Sequence, residues 1–192
     1  MEIKDKFYLE SDEYAELCVG QEFMKLIKGI SVFFPLKKNQ KNIDFIMKDS
    51  KNNFLNVQVK YSRTFFEQKL NCYNTWFNKF QPNKDTDLYC FFSIIPKVEN
   101  LVEKVKKESK MKKISYEYLT VVFTRTEMKD FFKNIALTQK DKNPDSHFGF
   151  SYSGGKISYN RGLHKGEDAS KYILNKQKAK EIEKMFKNPP HK

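Results

Sequence analysis

Cysteine is scarce in this chain. Its three copies, Cys18, Cys72 and Cys90, are odd in number, far apart and set among apolar neighbours. That pattern excludes a disulfide framework and predicts reduced, buried thiols, as in a cytoplasmic compartment. Histidine is equally sparse. His147 and His191 form no ligand spacing with the cysteines, which argues against structural zinc, and His164 stands alone in a glycine-flanked loop. No apolar run approaches the roughly 18 to 20 residues of a membrane span, and Met1 to Glu10 has no signal-peptide core, so a soluble cytoplasmic protein is expected. Internal repeats and low-complexity linkers are missing. Ser153-Gly-Gly-Lys156 lacks the rest of a phosphate-binding loop and a following helix, and reads as a turn.

Acidic residues are also in short supply. Thirty-six Lys and Arg against 24 Asp and Glu leave a net charge of +12. Such an excess suits a polyanionic partner such as nucleic acid. It equally suits a lysine-rich solubility surface in a chain whose Lys, Asn, Ile and Phe usage reflects AT-rich coding. The length of 192 residues, with 18 Phe and 10 Tyr, supports a single domain over 1–192 with a substantial core. The periodic elements place that core in 11–137, with 143–192 as an appendage.

Ser11 to Lys28 reads as a helix with Ser11 as N-cap, Asp12 and Glu13 in its first turn and Gly29 past its end. Its apolar stripe is Ala15, Val19, Phe23, Leu26 and Ile27, and Glu16 lies at the margin of that stripe. A short strand at Ser31 to Pro35 and a basic loop with Lys37, Lys38 and Lys41 follow. After Lys60 the aromatic-rich stretch Phe65 to Phe80 reads as a helix. Leu88 to Ile95 reads as a strand buried on both faces, Val98 to Val105 as a helix, and Tyr118 to Phe123 as a second buried strand. The capping box Thr124-x-x-Glu127 opens a helix with Met128, Phe131, Phe132 and Ile135 inward. A hairpin turning at Gly154-Gly155 and a last helix over Glu167 to Lys187 complete an alternation of strands and helices that predicts an α/β domain.

The most chemical part of the chain is Asn42 to Lys60, a strand pair turning at Asp49 to Asn53. Gln58 and Lys60, two apart, share one strand face, while Val57, Val59 and Tyr61 take the other. Asp44 is flanked by Ile43 and Phe45. A carboxylate, an amide oxygen and an ammonium held together in apolar surroundings cost several kcal/mol unless compensated, and a hard cation with a phosphate would compensate them. On the bland reading, Gln58 and Lys60 are a solvated strand face, Asp44 is surface and Glu16 is helix charge.

In order, the helix glutamate Glu16, Gly29 and a strand ending at Pro35, then Asp44, a spacer of 13 residues and Gln58-Val59-Lys60 resemble the PD-(D/E)XK nuclease superfamily. The pattern is most similar to its glutamine variants, the Mrr-type restriction enzymes and relatives of Holliday-junction resolvases. It departs from the family in having Ile43 in place of proline and Gln58 in place of glutamate. The resemblance covers about residues 11–63. It implies a restriction-endonuclease-like fold, a central mixed β-sheet flanked by helices, here extended by the C-terminal hairpin and helix. It also implies a DNA endonuclease serving restriction, repair or recombination, often a homodimer so that two sites meet two strands. Asp44, Gln58, the Val59 carbonyl and Glu16 would hold Mg²⁺, with Mn²⁺ as substitute, and Asp44, Gln58, Lys60 and Glu16 would be catalytic. Lys37, Lys38, Lys41, Ser62, Arg63, Arg161 and Lys165 would contact DNA. The alternatives are a catalytically inactive nucleic-acid-binding protein with the same fold, and a protein-interaction module.

Overall fold

The computed structural model describes residues 12–35, 42–67, 69–78, 80–97, 115–137, 147–160 and 164–187. In chain order these form α1 (Asp12–Leu26), β1 (Ser31–Phe33), β2 (Phe45–Lys48), β3 (Phe54–Ser62), β4 (Thr64–Glu67), β5 (Cys72–Thr75), β6 (Leu88–Lys97) and β7 (Ser115–Thr124). They continue through α2 (Arg125–Leu137), β8 (Phe150–Ser153), β9 (Lys156–Tyr159), a 3-10 turn at Ser170–Tyr172 and α3 (Lys176–Lys187). The protein is mixed α/β. Among the described residues, one sheet has five strands in the order β1-β2-β3-β6-β7 and a second has four in the order β4-β5-β8-β9. The pair β3 and β6 is parallel and the other pairings are antiparallel.

Side-chain alternation on the five-stranded sheet divides the interior in two. Leu55, Val57 and Val59 on β3, with Leu88, Cys90 and Phe92 on β6, pack against Ala15, Val19 and Phe23 of α1 and Ala179, Ile182 and Phe186 of α3. The intervening residues Tyr89 and Phe91 of β6 and Val121 and Phe123 of β7 turn to the other side. There they meet Phe77, Phe80, Met128, Phe131, Phe148 and Phe150 in a second, aromatic core. The central strands are therefore covered on both faces, which explains the nearly continuous apolar run of β6.

Several local expectations are met. Gly29 follows α1 at φ +77, the left-handed position that favours glycine at a helix end. Gly154 and Gly155, at φ +55 and +74, make the tight β8–β9 turn. The capping box closes in both directions, with the Thr124 N–H donating to Glu127 Oε2 at 2.7 Å and the Glu127 N–H donating to Thr124 Oγ1 at 3.3 Å.

Two expectations need correction. The stretch Phe65 to Phe80 is not a helix but holds the antiparallel pair β4 and β5, with Phe65 opposite Asn74 and Phe66 opposite Tyr73. Asn71 takes φ +47 in the intervening turn, a conformation asparagine tolerates better than most residues. Aromatic residues fit a pleated surface well, and here the neighbouring β8 supplies the partner that local periodicity could not reveal. The last helix begins at Lys176, not near Glu167. Asn175 caps it by accepting from the Gln177 and Lys178 N–H groups at 2.8 and 3.0 Å. Ahead of it, Asp168 bridges Ser158 and Ile173 bridges Val121. Ala169, Tyr172 and Ile173 had simply continued the helical stripe by their spacing. The expected N-cap Ser11 and the expected helix Val98 to Val105 lie outside the described residues.

The start of β6 is fixed by a buried ion pair. Arg125, the first residue of α2, donates from Nη2 to Asp87 Oδ1 at 2.8 Å and from Nε to the Thr86 carbonyl at 2.8 Å. Asp87 Oδ2 accepts the Asn56 N–H of β3 at 2.9 Å. The Asp87 side chain is only 1% exposed, so removing its cation strands a buried charge. Arg125→Ala is expected to cost about 3–5 kcal/mol, read as a drop in the urea midpoint at pH 7.

Candidate active site

β2 is shorter than β3, and the site lies where β2 begins. Phe45 pairs with Val57, so Asp44, the residue just before β2, lies alongside Gln58. The Asp44 N–H donates to the Val57 carbonyl at 2.9 Å. Its side chain then continues the ladder: Oδ2 accepts the Val59 N–H at 2.6 Å. In an extended strand the N–H and C=O of one residue point to the same side. The Val59 carbonyl therefore also points past the end of β2, toward Asp44.

Gln58 and Lys60 extend from the opposite face of β3 to Val57 and Val59. They share that face with Tyr89 and Phe91, their register partners on β6. Gln58 is only 4% exposed. Its Nε2 donates to Asn42 Oδ1 at 3.4 Å, whereas its Oε1 is buried without a hydrogen-bond partner among the described residues. An unmade bond of that kind costs about 1–3 kcal/mol, and a hard cation would satisfy it. Lys60 is half-buried, and its charge is felt at Asp44.

The electrostatics match this geometry. Burial is the largest influence on Asp44 and pushes its carboxyl above the usual carboxylate range. The Val59 N–H and the Lys60 ammonium oppose that rise, and Asp12 adds to it. Asp12 thus belongs to the electrostatic surroundings of the site, although its position in the sequence suggested only a helix-terminal charge. The available signal was its place one turn ahead of Glu16 on the same helical side. Glu16 is half-buried on α1, the helix that packs on β3. Cys90, the register partner of Val59, is fully buried, and burial together with Glu22 and Asp44 pushes its thiol well up, so it is no nucleophile.

Asn42 is a second residue that the sequence did not single out. It sits at φ +73, and its carbonyl accepts from Thr86 Oγ1 at 2.7 Å. Asn83 in turn donates from Nδ2 to Thr86 Oγ1 at 2.9 Å and exchanges bonds with the Tyr89 hydroxyl at 2.9 and 2.7 Å. The network holds the Gln58 amide with its nitrogen toward Asn42.

Among the described residues, no group of three or more His, Cys, Asp or Glu is placed to hold a metal ion. The oxygen donors that the register places next to one another at the start of β2 are one carboxylate, one amide oxygen and one backbone carbonyl. All are hard ligands of the kind Mg²⁺ accepts, and the orphaned Oε1 of Gln58 fits such an ion.

The expected DNA contacts fare differently. Ser62 is buried, with its Oγ donating to the Arg63 carbonyl at 2.9 Å and accepting the Trp76 N–H at 3.0 Å. Its hydroxyl therefore pins β3 to the second sheet instead of facing a phosphate. Arg63 is exposed just after β3, and Lys165 is exposed after β9. Lys37, Lys38, Lys41 and Arg161 lie outside the described residues. No described helix is long and apolar enough to cross a membrane.

No protein-family model and no curated protein matches the chain. Among solved structures it is similar to a bacterial homing endonuclease, I-Ssp6803I, at 18% sequence identity and a TM-score of 0.36, with 61% of this chain and 69% of that chain covered.

The raised Asp44 carboxyl has a consequence for stability. A group that binds its proton more tightly when folded lowers stability as pH rises from the unfolded carboxylate pKa, about 3.9, through the folded value, and the loss remains at neutral pH. In EDTA, Asp44→Asn is therefore expected to raise the urea midpoint at pH 7 and to leave it unchanged near pH 3. An equal or lower midpoint at pH 7 would show that the carboxylate is not strained by its burial.

Proposed function

We propose that the protein is a Mg²⁺-dependent DNA endonuclease of the PD-(D/E)XK type, hydrolysing phosphodiester bonds in restriction, repair or recombination. The observation that supports this reading is the buried Gln58 Oε1, without a hydrogen-bond partner among the described residues, at the register position opposite a desolvated Asp44 that feels the Lys60 charge. Asp44, Gln58 Oε1 and the Val59 carbonyl, with Glu16 from α1, would hold Mg²⁺ or Mn²⁺, which when bound neutralises phosphate charge and acidifies water.

The chain's own groups supply the rest. Lys60 presents an ammonium at the same face as Gln58, where it would hold the attacking water and stabilise negative charge growing on the phosphate oxygens. Asp44 is tied to the Val59 N–H and can accept a hydrogen bond from that water through its other oxygen. Asn42 fixes the Gln58 amide. Tyr89 and Phe91, buried beside Gln58 and Lys60, exclude solvent and so strengthen each of these interactions. A homodimer would bring two such sites to the two strands of a duplex.

The neutral Gln58 and the lack of a three-carboxylate group among the described residues favour one other reading, a nucleic-acid-binding protein that keeps the site without turnover. Incubating the purified protein with supercoiled, linear and branched DNA in Mg²⁺, Mn²⁺ and EDTA separates the two. Asp44→Ala is expected to abolish divalent-ion-dependent cleavage while salt-sensitive DNA binding persists, and undiminished cleavage would sink the assignment. Lys60→Ala is expected to lower the single-turnover rate by on the order of 10²-fold with little change in affinity. Gln58→Glu is expected to retain or raise activity and to bind Mg²⁺ more tightly by calorimetry, because it adds a charge at the same reach.

A further inference from the structure

Trp76 is the single tryptophan of the chain. It follows β5, is 40% exposed and is not part of the aromatic core beneath it. Thr64 pairs with Thr75, so the next step of the ladder brings Trp76 beside Arg63, which is exposed. The Trp76 N–H donates to Ser62 Oγ at 3.0 Å. Ser62 is two residues beyond Lys60 on β3, and residues two apart on a strand share a face. The backbone of Trp76 therefore stands over the sheet face that carries Gln58 and Lys60, about 7 Å along the strand from Lys60.

Its frame is held from both sides. Preceding it, Thr75 Oγ1 accepts the Phe150 N–H at 3.1 Å, and the Thr75 carbonyl accepts from Asn160 Nδ2 at 3.0 Å. That carbonyl passes so close to Gly149 that an added Cβ would lie 1.7 Å from it. Following it, Phe77 and Phe148 exchange backbone hydrogen bonds at 2.7 and 3.2 Å. An indole kept partly in water on an anchored backbone is a pre-organised contact surface. Phe65 of β4, paired with Asn74 of β5, is also exposed, and Glu67, the acid of β4, is engaged by Asn74 Nδ2 at 2.7 Å.

We propose that Trp76 is a stacking platform for an unpaired nucleobase one or two nucleotides from the phosphate held at Asp44 and Lys60. DNA that is unpaired at the cut, as at a junction or an opening in a duplex, is then the substrate class, and a single strand is its simplest probe. The proposal rests on the phosphate-site reading of Asp44, Gln58 and Lys60. The net charge of +12 suits a polyanion, and among polyanions a nucleic acid offers a flat aromatic face next to each phosphate. A base inside a duplex has both faces covered by its neighbours, so an unpaired base is the one that fits. Stacking on aromatic side chains is the general means by which proteins hold single strands.

Because Trp76 is the sole tryptophan, its fluorescence reads the contact directly. The full chain in EDTA would be titrated with a single-stranded oligonucleotide, the matching duplex and inorganic polyphosphate. Saturable quenching by the single strand, weaker with the duplex and absent with polyphosphate, is expected. By anisotropy of a labelled single strand, Trp76→Ala should weaken binding by about five- to 150-fold, the equivalent of one base stacked on an aromatic ring, and Trp76→Phe should retain most of the affinity. Equal quenching by polyphosphate, equal quenching by duplex, or unchanged affinity in a folded Trp76→Ala protein would each overturn the proposal. If Asp44→Ala cleaves DNA at the parental rate while the quench persists, the phosphate-site reading fails and the stacking platform stands.

Discussion

Parallel pairing of β3 with β6 in a sheet covered on both faces is the constraint from which the rest of the structure follows. Each residue of β3 is committed to one of two interiors: Leu55, Val57 and Val59 to the side of α1 and α3, and Gln58, Lys60 and Ser62 to the side of the second sheet. Gln58 and Ser62 on the second face are shut off from bulk water, while Lys60 is half-buried. Ser62 meets this demand by bonding to Arg63 and Trp76, and Gln58 meets half of it through Asn42. On β3 the Gln58 amide oxygen is left without a partner among the described residues, and it marks the candidate site.

The same burial sets the electrostatic character of the site. Asp44 is desolvated and feels a second carboxylate at Asp12, yet it is held in place by the Val59 N–H and the Lys60 charge. Two other buried charges are met by an opposite charge. Asp87 has Arg125, the Asn56 N–H and a fixed strand start. Lys178, buried in α3, donates to both oxygens of Glu127 at 2.8 and 3.0 Å and lies over the Tyr172 ring. The contrast separates ion pairs that stabilise the fold from a cluster left partly unsatisfied, the arrangement expected where stability is traded for chemistry.

Parallel neighbours cannot be joined by a tight turn, and the crossover from β3 to β6 is where this chain departs from a simple strand and helix alternation. The crossover carries β4 and β5, which pair with the C-terminal hairpin through β8 and so build a second sheet over the Gln58 and Lys60 face. Residues far apart in sequence, Trp76, Phe148 and Phe150, thereby become neighbours of the site or of the core beneath it.

Features governed by short-range chemistry were legible in the sequence. The stripe of α1, the Gly154-Gly155 hairpin, the capping box at Thr124 and Glu127, the apolar run of β6 and the shared face of Gln58 and Lys60 each depend on residues within about four positions of one another. Local sterics and hydrogen bonding decide them. The strands β4 and β5, the late start of α3 at Lys176, the burial of Ser62 and the roles of Asn42 and Asp12 were not legible. Phe65 to Phe80 has an aromatic spacing that suits a helix face, and β8, more than seventy residues later, adds to the β4–β5 pairing by satisfying the outer side of β5. The sequence by itself determined which side chains share a strand or helix face. Which of those faces is shut off from water, and so which carboxylate is strained and which amide oxygen is orphaned, was decided by the tertiary structure, because desolvation depends on what packs above a residue and not on its neighbours along the chain.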